Sequence, residues 1–125
     1  MARIKLAAPV LAALLVAATS SAAEESAPSQ TMSRVYDTYC AQCHGLERNG
    51  KGVNTVALSV QPRDHSDPKG MGSLPREEMR SAIRDGGASV NKSSLMPAWN
   101  SVLTDQQIDQ MIDYLHSVCH CGGSN

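Results

Sequence analysis

Cys40-Ala41-Gln42-Cys43-His44 is the stretch whose residue types and spacing could do chemistry. Two thiols three positions apart, followed at once by an imidazole, form the C-x-x-C-H pattern of covalent haem attachment. In that chemistry the thiols add to the vinyl groups of the ring and become thioethers. The histidine beside the second thioether then reaches the iron as an axial ligand. The same residues could instead close a disulfide. They could also join Cys119 and Cys121 in a four-thiolate zinc site.

A haem reading requires a ligand opposite His44. The sulfur candidates are Met71, Met79, Met96 and Met111, and the imidazole candidates are His65, His116 and His120. Met79 and Met111 fall on apolar helix faces, where methionine is ordinary core filler. Met96 stands in Ser93-Ser94-Leu95-Met96-Pro97-Ala98-Trp99, a loop before the last helix. Pro97 drives the preceding residue towards extended backbone, which can aim a side chain from a fixed loop. The spacing of 52 residues from His44 is enough to wrap round to the opposite face.

Composition bears on the same choice. The chain has 125 residues, with one Trp, three Tyr and no Phe. A small domain so poor in large apolar side chains buries little surface by itself, and a haem ring inside would supply the missing bulk. Arg3 and Lys5, the uncharged Leu6 to Ala18 and the small residues Ser21-Ala22-Ala23 read as a secretory signal peptide, cut after Ala23. The apolar run is shorter than the roughly 18–20 residues of a membrane span. Export places the protein in the periplasm or outside the cell, where unmodified cysteines become disulfides. Without Arg3 and Lys5 the balance is nine Lys/Arg against twelve Asp/Glu, about −3. There is no basic stripe of the kind nucleic acid requires.

The elements that must position these residues are helices. The domain is expected at 33–118, after a signal peptide at 1–23 and a flexible leader at 24–32, with a tail at 119–125. A first helix is expected from about Ser33 to Cys40, delivering the chain into the Cys/His motif. From Gly45 to Ser73, glycines and prolines predict loop, with a helical turn near Thr55 to Leu58. A second helix starts near Pro75, exposes Glu77 and Glu78 at its positive end, and stops at Gly86-Gly87. Another loop spans Asn91 to Asn100. In the last helix Thr104 and Gln107 form a capping box, and Ile108, Met111, Ile112, Leu115 and Val118 line one stripe. The fold class is all-α, three main helices with long loops wrapped around one covalently bound haem.

These segments together resemble the class I c-type cytochromes. The resemblance rests on Cys40-Ala41-Gln42-Cys43-His44-Gly45, Asn49-Gly50-Lys51-Gly52, Ile83-Arg84-Asp85-Gly86-Gly87, Met96-Pro97-Ala98-Trp99 and Leu103-Thr104-Asp105-Gln106-Gln107-Ile108 through Tyr114-Leu115. It spans about 33–118. The family implies one haem c held by Cys40 and Cys43, with His44 and Met96 as axial ligands. It also implies a first helix crossing the last at Tyr36 and Tyr114, and electron transfer between redox protein donors and acceptors. Trp99 is expected to bond a haem propionate, and Arg84 to sit on a solvated helix face. Two positions depart from the family pattern. Met32 stands where a glycine often allows close helix approach. Val53-Asn54-Thr55 lacks the proline whose carbonyl usually accepts a bond from the ligand histidine, a role left to Pro62 or another loop carbonyl.

Other functions make different demands on the same residues. A haem-based gas or peroxide sensor or enzyme would need Met96 to leave, and no general base lies near it in sequence. The chain could also serve as the haem subunit of a larger oxidoreductase. His116-Ser117-Val118-Cys119-His120-Cys121 lies outside the family pattern. It could form a local disulfide, an intermolecular one, a copper or zinc site, or a one-thioether haem attachment at Cys119-His120.

Overall fold

The computed structural model describes residues 28–121, so the signal peptide expected at 1–23 and the leader residues 24–27 lie outside the described residues. Among the described residues the chain is helical and contains no strand. Helix α1 (Pro28–Val35) runs through a π-helical segment (Tyr36–Cys40) into α2 (Ala41–His44). After a 3₁₀ turn (Val53–Thr55) come α3 (Pro68–Gly72), α4 (Arg76–Asp85), a second 3₁₀ turn (Gly87–Val90) and α5 (Asp105–Cys119).

The first helical stretch is longer than expected at both ends. It begins within the expected leader, because Met32 and Tyr36, four apart on one helix face, are each 1 % exposed against the core. It ends at His44, where Gly45 takes φ +80 and turns the chain away. A second difference is α3, in a stretch that its prolines and glycines mark as loop. The Asp67 carboxylate accepts from the Lys69 and Gly70 N–H groups, Pro68 occupies the first turn, and Met71 is fully buried. A cap, a proline at the start and one deep anchor outweigh the helix-weakening glycines.

Helix α5 keeps the expected capping box between Thr104 and Gln107. Ile108, Met111, Ile112 and Leu115 are buried along its stripe, and Val118 packs at the margin. It crosses α1 with the Tyr36 and Tyr114 rings 5.9 Å apart. Arg48 closes the outside of this crossing. Its Nε donates to the Tyr114 hydroxyl at 2.7 Å, its Nη2 pairs with Asp37 at 2.7 Å, and its guanidinium lies 5.0 Å from the Tyr36 ring centre. Helix α4 packs Met79 and Ile83 into the core. A row of ion pairs holds it to α5: Arg76 to Asp113, Arg80 to Asp109, and Arg84 to Asp105.

Helix α5 reaches one residue into the expected tail. Cys119 is the last residue of α5, fully buried, and is joined by a disulfide to Cys121. That bond uses both thiols within one chain, so it replaces the expected option of an intermolecular bridge and takes both residues out of a four-thiolate zinc site. No helix among the described residues is long and apolar enough to cross a membrane.

Candidate functional site

The helices and loops enclose a cavity of about 460 Å³. Cys40, Cys43 and His44 lie on its wall, as do Met96 and Trp99 from the loop before α5. The rest of the lining is largely apolar and includes Met71, Met79, Ile83, Met111 and Leu115. All five residues singled out in the sequence are therefore brought to one space.

His44 is fixed from behind. Its Nδ1 lies 3.1 Å from the Arg63 carbonyl oxygen. With Nδ1–H donating there, Nε2 keeps its lone pair for a metal. The acceptor is thus the residue after Pro62. Burial lowers the His44 pKa below its ordinary value and so favours the neutral ring that can ligate, an effect partly offset by this bond. The loop that carries the neighbouring glycines presses closely on the motif. The Gly50 N–H donates to the His44 carbonyl at 2.9 Å and the Gly52 N–H to that of Cys43 at 3.0 Å. A Cβ at Gly52 would collide with the backbone of Gln42 and Cys43.

Both motif cysteines are free thiols and half-buried. Burial pushes Cys40 up to about 11, so it stays protonated at neutral pH. Met96 is half-buried on a loop pinned to the end of α4. Its carbonyl accepts from Gly87 at 3.0 Å, and the Trp99 N–H donates to the Ile83 carbonyl at 3.0 Å. A Cβ at Gly87 would clash with the Ser93 carbonyl and crowd the Met96 Cβ at 3.1 Å, so the glycine is what lets the loop seat here. The Trp99 ring lies 5.6 Å from that of Tyr39. Arg84 is exposed and pairs with Asp105 at 3.3 Å, on a solvated face.

The remaining ligand candidates separate on position. His65 stacks on His44, ring centres 4.4 Å apart and planes 14° from parallel. Two imidazoles lying face to face cannot ligate one ion from opposite sides, so His65 is not the opposite partner of His44. His116 and His120 do not line the cavity. Met79 and Met111 are buried on helix faces, 4 % and 2 % exposed. Among the described residues no group of three His, Cys, Asp or Glu side chains could hold a metal ion. A largely apolar cavity whose wall bears two thiols, the stacked imidazoles of His44 and His65, and the thioethers of Met71, Met79, Met96 and Met111 fits a haem.

Residues 27–115 match the family described as cytochrome C oxidase, cbb3-type, subunit III. The chain belongs to this family of c-type cytochromes. The cytochrome is accordingly a haem-binding, iron-containing protein of electron transport. It is also similar to the quinohemoprotein alcohol dehydrogenase ADH-IIG of Pseudomonas putida, 27% identical over 96 residues. That match covers 77% of this chain and 11% of the dehydrogenase, so the cytochrome spans about a tenth of that relative's length.

Two parts of the cytochrome's site were not singled out from sequence. The Arg63 carbonyl is a backbone group and carries no residue signature. His65 carries no sequence signal for its place against the His44 ring. Its pairing with Tyr36, 29 residues away, is set by the helix crossing.

Proposed function

We propose that this cytochrome is an exported single-electron carrier holding one haem c, attached through Cys40 and Cys43, with His44 and Met96 as the axial pair. The observation that carries this reading is the cavity. The neutral, backbone-tethered His44 and the loop-borne Met96 line the same apolar space as both free thiols. Haem supplies the one-electron couple of its iron when bound. The chain's own residues set the conditions for it. Cys40 and Cys43 keep the ring in place. His44 presents Nε2 because Nδ1–H is committed to Arg63. A thioether sulfur from Met96 opposite one nitrogen favours the reduced state more than two nitrogens would. The apolar wall excludes water, and Trp99 at the margin of the cavity is the candidate donor to a haem propionate.

Such a carrier needs no substrate pocket. It needs a small contact patch for redox proteins, on the scale of weak electron-transfer encounters. Its similarity to part of a quinohemoprotein dehydrogenase, and to an oxidase subunit family, favours work beside a larger oxidoreductase, receiving or delivering electrons one at a time. Absorption spectra of the purified holoprotein and of Met96→Ala test the ligand assignment. The wild type should show a low-spin methionine-ligated spectrum that the variant loses, whereas Met79→Leu should retain it. A Met96→Ala protein with an unchanged spectrum would remove Met96 from the iron.

A further inference from the structure

His65 lies against His44, and the proposed function gives it no task. Its ring is stacked on the His44 ring, 4.4 Å between centres and 14° from parallel. It is held on two sides. Its backbone N–H donates to the Arg48 carbonyl at 2.7 Å, and the Tyr36 hydroxyl meets its ring Nδ1 at 3.0 Å. Tyr36 also presents its ring edge-on to His65, 5.8 Å between centres and 72° between planes. Tyr36 is in turn fully buried where α1 crosses α5 and covered by the Arg48 guanidinium.

We propose that His65 is a positioning residue: together with the Arg63 carbonyl it sets the plane of the His44 ring, and Tyr36 transmits the geometry of the α1/α5 crossing to that plane. A single hydrogen bond at Nδ1 fixes one point of an imidazole. It leaves the ring free to rock about the bonded atom. A flat partner pressed on the face removes that freedom, since rotation out of parallel would drive the two rings together. Tyr36 keeps the partner itself from turning, because its hydroxyl engages one nitrogen and its ring blocks one edge. The plane of an axial imidazole governs how unpaired spin spreads over a low-spin ferric haem, and surrounding groups that orient a ligand tune the metal. The inference rests on His44 being an axial ligand.

The test uses the mature ferric holoprotein, with proton NMR shifts of the haem methyl groups and the anisotropy of the electron paramagnetic resonance signal as readouts. His65→Phe retains a flat stacking partner and should keep the wild-type order of methyl shifts. His65→Leu has bulk without a plane and should reorder or broaden them. Tyr36→Phe removes the hydroxyl alone and should give a smaller change in the same direction. If His65→Leu fails to accumulate as holoprotein, the comparison of Tyr36→Phe with wild type carries the test. A loss of thermal stability in these variants with unchanged methyl order would show a merely structural contact and overturn the proposal. A wild-type spectrum without histidine-ligated low-spin iron would overturn the axial role of His44 as well, and it is seen before any variant is made.

Discussion

At the scale of single residues, the site depends on groups that are buried yet partnered. Tyr36 is the clearest case. Its phenol would ordinarily titrate near 10, and burial pushes it up, with the nearby Cys40 adding and Arg48 opposing. A raised folded-state pKa means that the folded chain holds a proton the unfolded chain releases. The stabilisation is therefore complete below about pH 10 and is lost as pH rises above it, by up to about 1.4 kcal/mol per pH unit. Wild type should thus lose stability faster than Tyr36→Phe between pH 10 and 11, measured by denaturant unfolding at each pH. Equal slopes would mean that the phenol ionises freely in the folded protein. At pH 7 the same substitution should cost about 1 kcal/mol, the usual value of one buried hydrogen bond, here the one to His65.

At the scale of elements, the parts with local signatures were legible in the sequence. The capping box of α5 needs only Thr104 and Gln107, and it formed as read. Thr104→Ala should lower stability by about 1 kcal/mol without changing the haem spectrum, checked by thermal unfolding. The C-x-x-C-H run is legible as a pattern for the same reason, since the chemistry proposed for it lies within five consecutive residues. Features set by distant contacts were not. Helix α3 hides behind Pro68, Gly70 and Gly72, because its support is the burial of Met71 rather than propensity. The start of α1 is not legible, because Met32 reads as leader until the folded core buries it. The Arg63 carbonyl became identifiable only when the loop folded back on His44, 19 residues away. The disulfide at the end of α5 encloses a very short loop, so chain entropy allows it only about 1–2 kcal/mol. A Cys119→Ser, Cys121→Ser double variant should therefore mature, keep its haem spectrum and unfold at a slightly lower temperature. Failure to bind haem would give the tail a larger role.

At the scale of the whole molecule, the cavity of about 460 Å³ stands where an ordinary small domain would have large side chains. With no Phe and a single Trp in the chain, the core among the described residues is chiefly methionines, isoleucines, leucines and two tyrosines arranged around that space. Cofactor and core are then one object. Preventing attachment with Cys40→Ala and Cys43→Ala together should leave a chain with much weakened cooperative unfolding, read by circular dichroism, because a ligand that binds only the folded state contributes its binding energy to stability. The proposed site is closed by ligands on both sides and passes electrons without opening. The most direct measurement is the absorption spectrum of the reduced, purified holoprotein at neutral pH before and after addition of carbon monoxide. A low-spin spectrum that carbon monoxide leaves unchanged is the predicted result; rapid and complete carbon monoxide binding would contradict the account.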